Sequence, residues 1–152
     1  MAAGGGQGVG QMRDKPALAR DGWCFACGSQ NPHGLRLTDF RREGENCLVS
    51  FTPRRKHQGW QGLTHGGIVA TLLDEAMTHL LQDLGQAGVT AVLTVRYHQP
   101  LPTGEPVEVR ARVMASHGRL TQVESELRDH EGALVASAQA KFMMIRPDAD
   151  VP

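Results

Sequence analysis

Val69, Leu72, Leu73, Ala76, Leu80 and Leu84 recur at steps of three and four, so the stretch from Gly66 to about Leu84 is predicted to form one helix with an apolar stripe on a core. Gly85 and Gly88 end that element. Beyond Gly88 the period drops from 3.6 to 2. Ala91, Leu93, Val95 and Tyr97 alternate with Val92, Thr94, Arg96 and His98 until Pro100, Pro102 and Gly104 break the run. Val107 to Ser116 and Thr121 to Arg128 alternate in the same way, joined at His117-Gly118. The last run, Leu134 to Ile145, puts Ala136, Ala138, Ala140, Phe142 and Met144 on one face after the turn Asp129-His130-Glu131-Gly132. Ahead of the helix, Leu35 to Thr38 begins one short strand and Cys47 to Phe51 forms a second, stopped by Pro53. Long amphipathic strands joined by short turns make an antiparallel meander, and the single helix must bury its stripe against it. The predicted class is α+β, a curved antiparallel sheet wrapped around one long central helix.

Length and composition bound this picture without changing it. The 152 residues suit one domain, placed at residues 21–146. Residues 1–20 are Gly-rich and poor in apolar surface, and are read as a disordered tail; residues 147–152 are read as a flexible C-terminal one. The formal net charge is zero, which argues against nucleic acid as a partner. No apolar stretch reaches the roughly 20 residues that span a bilayer, and the N-terminal residues lack the apolar centre of a secretory signal. With three cysteines and no such signal, the expected setting is cytoplasmic with reduced thiols. Cys24-Phe25-Ala26-Cys27 has the spacing of half a zinc site or a redox pair. Further ligands from His33 or Cys47 would need a coincidence of fold, so the two cysteines are read as small packing residues, with no metal and no cofactor expected.

The chemistry concentrates at His65-Gly66-Gly67 and at Asp74. A helix start offers N–H groups without intrahelical partners and a partial positive charge, and glycine lets a substrate approach them closely. An acid inside the apolar run is unusual, because an unpaired buried carboxylate is costly. On a helical wheel Asp74 is flanked by Ala70, Met77 and Leu81, whereas Glu75 is flanked by Thr71, His79 and Gln82. Asp74 therefore reads as the desolvated acid, and Glu75 as the more hydrated one, near His79 at i+4. Preorganised N–H donors stabilise a tetrahedral oxyanion, and a carboxylate serves as general base or nucleophile. His65 reads as a hydrogen-bonding residue that fixes the helix entry.

These residues carry a resemblance. His65-Gly66-Gly67 with Asp74, the lead-in Cys24-Phe25-Ala26-Cys27-Gly28 and Asn31-Pro32-His33-Gly34-Leu35, the loop Gln58-Gly59-Trp60-Gln61-Gly62, and Val95-Arg96-Tyr97-His98-Gln99-Pro100-Leu101-Pro102 together resemble the hotdog-fold acyl-CoA thioesterases. The likeness runs over roughly residues 23 to 146 and is strongest to the phenylacetate-pathway type and its mammalian relatives. It implies hydrolysis of acyl-CoA thioesters by homodimers or homotetramers, at sites formed between two subunits. It further implies that the Gly66 N–H polarises the thioester carbonyl, that Asp74 is the catalytic carboxylate, and that Thr90 holds a position where relatives carry a helpful hydroxyl. Many relatives have an asparagine six residues before the histidine; here that position is Gly59, and Gln58 is the nearest amide. His65 and Thr90 join Asp74 and Gly66 as expected catalytic residues, and Gly67, Gln58, Leu73, Met77 and Arg96 are the expected substrate contacts. Leu73, Met77, Leu81 and Val92 would line the acyl pocket. Arg96, with Arg54, Arg55, Lys56 and Arg119, would rim the CoA phosphates. The competing reading is a non-catalytic acyl-CoA-binding module on the same fold.

Overall fold

A computed structural model of the chain describes residues 18–146. Its order is β1 (Phe40–Glu43), β2 (Asn46–Phe51), a 3-10 turn at Arg55–His57, α1 (Gly66–Asp83), β3 (Gly88–Tyr97), β4 (Val107–His117), β5 (Leu120–Asp129) and β6 (Leu134–Met144). The six strands form one antiparallel sheet in the order β1-β2-β4-β5-β6-β3. The expectations of tails at residues 1–20 and 147–152 fall, except for residues 18–20, outside the described residues.

The stripe that made α1 legible is the stripe that it buries. Val69, Leu72, Leu73, Ala76, Met77, Leu80 and Leu81 have almost no exposed surface and pack on the sheet, mainly on β4 and β5. The sheet answers with period-two positions: Val107, Val109 and Ala111 on β4, Val123 and Leu127 on β5, and Ala136, Ala138, Ala140 and Phe142 on β6. A buried Leu or Phe contributes about 1.5–3 kcal/mol relative to an exposed one, so this interface dominates the stability. Leu84, expected to close the stripe, is 47% exposed. It lies one residue past the last helical turn, where Gly85 takes φ +73° and redirects the chain.

The first strand is displaced from its expected place at Leu35 to Thr38. Leu35 and Leu37 are buried, but their N–H groups donate to the carbonyls of Phe25 and Ala26 (2.8 and 2.9 Å), not to a strand of the sheet. That alternation records a buried extended segment, and the sheet starts only at Phe40.

β3 is an edge of the sheet, bonded to β6 alone, and Val89, Val92 and Tyr97 are exposed along it. Its register slips between Thr90, opposite Phe142, and Val92, opposite Lys141, so Ala91 is an extra residue. Such a bulge exchanges the two faces of a strand. Thr90 and Tyr97 have opposite parity in sequence, yet both reach α1.

Candidate active site

His65 caps α1. Its backbone is extended (φ −60°, ψ 134°) and its ring Nδ1 accepts from the Gly67 N–H at 2.9 Å. A Cβ on Gly67 would fall 3.0 Å from that nitrogen, so glycine there keeps the cap possible. The Gly67 N–H is thereby used within the chain. Among the described residues the N–H of Gly66 makes no hydrogen bond, which is the property of a first helical residue available to an external acceptor. The Gly66 carbonyl accepts from the Tyr97 hydroxyl at 2.7 Å, which ties the helix start to the far end of β3.

Asp74 lies two turns further along and is half-buried. Its Oδ1 accepts from Thr90 Oγ1 at 2.9 Å. Burial pushes the carboxyl above its ordinary pKa, the Thr90 hydrogen bond pulls it back, and the neighbouring Glu75 charge pushes it up again. Asp74 thus meets the requirement of a base: an ionisable group in partly desolvated surroundings, with one oxygen anchored.

The relative hydration of the two acids is a correction to the sequence reading. Glu75 is only 7% exposed and is the more buried of the pair. Residues 20–27 lie over its side of the helix, bringing Arg20 (3.7 Å) and Cys24 Sγ (4.0 Å) to its Oε1 beside His79 at 3.9 Å. A helical wheel carries no information about a segment more than 50 residues away.

Gln58, His65 and Gly67 come together on a cavity of about 360 Å³ whose walls include Lys56, His57, Ile68 and Thr71. The Gln58 Oε1 accepts from the Gly62 N–H at 3.3 Å and so braces its own loop. Position 59 is close to His65: a Cβ there would fall 3.3 Å from the His65 Cα and Cδ2. A larger cavity of about 1020 Å³, lined by Arg36, Arg54, Lys56, Arg128 and His130 among others, shares Lys56 and His57 with the first, but its walls include none of Gly66, Asp74 and Thr90. Leu73 and Met77 are fully buried core residues within the single chain and face neither cavity. Arg96 is exposed on β3, opposite Ser137, away from both.

Two residues were not anticipated. Tyr97 positions the helix start, and only the bulge at Ala91 reveals that its hydroxyl and that of Thr90 serve the same helix. His57 is buried with Nδ1 accepting from the Arg54 N–H (2.9 Å) and Nε2 without a partner among the described residues. Burial, aided by Lys56 and Arg54, holds its pKa below the ordinary value, so the ring is neutral at pH 7. Of the cysteines, Cys47 is buried in β2, whereas Cys24 and Cys27 sit against Glu75. Burial and the Glu75 carboxylate push the Cys27 thiol up to about 12, far from the range of a nucleophilic or redox-active cysteine.

The fold has counterparts among known proteins. The family model "Thioesterase superfamily" matches residues 61–136, which is half of the chain and takes in the end of the loop, α1, β3 to β5 and the start of β6. Acyl-coenzyme A thioesterase THEM4 of Xenopus laevis is 30% identical over 120 residues, covering 78% of this chain and 54% of the relative. The chain thus spans about half the length of that relative. A thioesterase superfamily protein of known structure is 27% identical with a TM-score of 0.73, covering 85% of this chain and 72% of that one. The E. coli PaaI protein from the phenylacetic acid degradation operon superposes with a TM-score of 0.66 at 21% identity, over 69% of this chain and 81% of that one. One helix wrapped by a six-stranded antiparallel sheet is the hotdog fold, and the chain that forms it here belongs to the thioesterase superfamily.

Proposed function

We propose that this protein hydrolyses acyl-CoA thioesters at a site shared by two copies of the chain. The observation that carries the reading is the pairing of an unused helix N-terminal amide at Gly66 with a half-buried, Thr90-anchored carboxylate at Asp74. Eight residues separate the two, about 12 Å along a helix axis at 1.5 Å per residue, too far for both to serve one carbonyl group. Two copies remove the difficulty. On β3, Thr90 marks the level of Asp74 and Tyr97 marks the level of Gly66. An antiparallel pairing of two β3 edges about a two-fold axis at Thr94, with Ala91 taken up as the bulged residue, sets Tyr97 opposite Thr90 of the partner subunit. The Gly66 amide then faces the partner's Asp74. The same pairing covers the exposed Val89 and Val92 and satisfies a long edge strand, which otherwise invites non-specific association.

In that site the Gly66 N–H, at the positive end of α1, donates to the thioester oxygen and to the oxyanion that follows. Thr90 holds Oδ1 of the carboxylate, leaving Oδ2 to take a proton from an attacking water. The carbon–oxygen bond forms, the carbon–sulfur bond breaks, and the proton held on Asp74 passes to the departing CoA sulfur. The products are a free acid and CoA.

The test is free-thiol detection across short, long and aryl acyl-CoA thioesters, together with the molar mass in solution. Thiol release by an oligomer supports the reading. Binding of acyl-CoA without thiol release supports the non-catalytic module instead, and full activity in a monomer contradicts the shared site.

A further inference from the structure

We propose that Cys24, Cys27, Glu75 and His79 form a closed zinc site that staples the segment before β1 to helix α1. This inference stands apart from the thioesterase reading and uses none of the residues placed in that mechanism.

The cysteines sit in a tight turn. The Gly28 N–H donates to the Cys24 carbonyl at 2.8 Å. A Cβ on Gly28 would fall 2.4 Å from the Gly22 oxygen and 2.5 and 2.6 Å from Cys24 backbone atoms, so only glycine closes the turn. Leu35 and Leu37 clamp the turn from outside through the Phe25 and Ala26 carbonyls. The two Sγ atoms and a carboxylate oxygen of Glu75 lie within 4.8 Å of one another. Ligands of a tetrahedral ion with bonds of about 2.3 Å stand roughly 3.8 Å apart, so a small contraction suffices.

The fourth ligand lies one helical turn away, outside that group of three and near Glu75 alone among its members. His79 Nε2 lies 3.9 Å from Glu75 Oε1, and its ring is stacked on Phe40 with centroids 3.5 Å apart and planes within 8°. That stack holds the ring as a supporting partner holds a metal-binding imidazole. The guanidinium of Arg20 reaches into the cluster from the exterior: its Nη1 is 3.2 Å from both Cys27 Sγ and His79 Nε2. Arginine has only donors, so Nε2 is the acceptor and directs its lone pair at the Arg20 guanidinium, whose place an ion would take; this is the tautomer a metal requires. Arg20 marks the point where positive charge is wanted. Its side chain is 45% exposed and free to swing outward when an ion enters. Two thiolates, a carboxylate and a neutral imidazole select zinc among the common divalent ions, and four protein ligands leave no open position, which makes the role structural.

The experiment is a cobalt titration of the reduced full-length protein, followed by displacement with zinc. The expected result is one equivalent of Co²⁺ per chain, with a thiolate-to-cobalt charge-transfer band, the intense visible bands of a tetrahedral centre, and stoichiometric bleaching by Zn²⁺. Cys24→Ser and Cys27→Ser each weaken the charge-transfer band and the double variant abolishes it, His79→Ala weakens affinity by at least about tenfold, and Cys47→Ser leaves the spectrum unchanged. Arg20→Ala binds as tightly as wild type or tighter, because a competing cation is gone. Zinc also raises the melting temperature, as any ligand of the native state does. A folded, reduced wild-type chain without the charge-transfer band, or with only the weak spectrum of an octahedral ion, overturns the proposal. So does loss of the metal in folded Arg20→Ala, a readout independent of whether the cysteine variants fold.

Discussion

Thr90 Oγ1 donates a 2.9 Å hydrogen bond to Asp74 Oδ1 from a strand position that a one-residue bulge has turned toward the helix. Without the extra residue at Ala91, either Thr90 or Tyr97 would point away from α1, and one end of the proposed site would lose its support.

The first prediction concerns the pH profile. Burial and the Glu75 charge raise the Asp74 pKa, and the Thr90 hydrogen bond opposes them. Thr90→Val removes the opposing influence, so protonation of Asp74 extends to higher pH. The acid limb of kcat for thiol release moves to higher pH in Thr90→Val and stays near its wild-type position in Thr90→Ser. A profile unmoved by Thr90→Val means that Asp74 is not the titrating base.

Asp74→Asn separates activity from stability. The charged form of Asp74 is disfavoured in the native state, so its contribution to stability is fully present below the unfolded pKa and is lost as pH rises through the raised folded value. At neutral pH the ionised side chain therefore destabilises the fold, and Asn lacks that penalty. Thiol release falls by about 10²–10⁴-fold while the melting temperature at pH 7 rises, with the gain shrinking in acid. A variant that is both inactive and less stable at pH 7 points to a structural role instead.

Gly66→Pro addresses the oxyanion donor directly. Proline is favoured at the first helical position, and the residue before it must be extended, as His65 is with ψ 134°. A Cβ at position 66 has ordinary contact distance, 3.5 Å, to the Tyr97 ring. The substitution removes the N–H and sets ring carbon in its place, while the helix start is kept. Activity should fall by about 10²–10³-fold with an unchanged circular dichroism spectrum.

Val92→Lys places a charge on the exposed β3 edge, where Val92 is 49% exposed in the single chain. Light scattering should report a smaller species, and thiol release should fall in parallel. A monomer that keeps its activity is incompatible with a site built from two copies.

Much of this fold is legible in the sequence alone. α1 was readable because one stripe of Val, Leu and Ala faces one partner throughout, and β4 to β6 because each is buried on one side only. Where burial came from somewhere other than the sheet, the pattern misled. Leu35 and Leu37 alternate like a strand but pack beneath residues 25 and 26. Glu75 looks hydrated on the helical wheel, yet Arg20 and Cys24 cover it from far away in sequence. Gly66 and Asp74 were singled out as site candidates from residue type and spacing. Their separation along the helix was implicit in that same spacing, and it is the reason the proposed site takes one group from each of two copies, as the resemblance implied.

The central claim is that the Gly66 amide of one chain works with the Asp74 carboxylate of another. Mixing unfolded Asp74→Asn and Gly66→Pro chains in equal amounts and refolding them together tests it most directly. Random pairing makes half of the dimers mixed, each with one intact site, so thiol release should return to about a quarter of the wild-type rate. A mixture no more active than the two variants refolded separately would contradict the account.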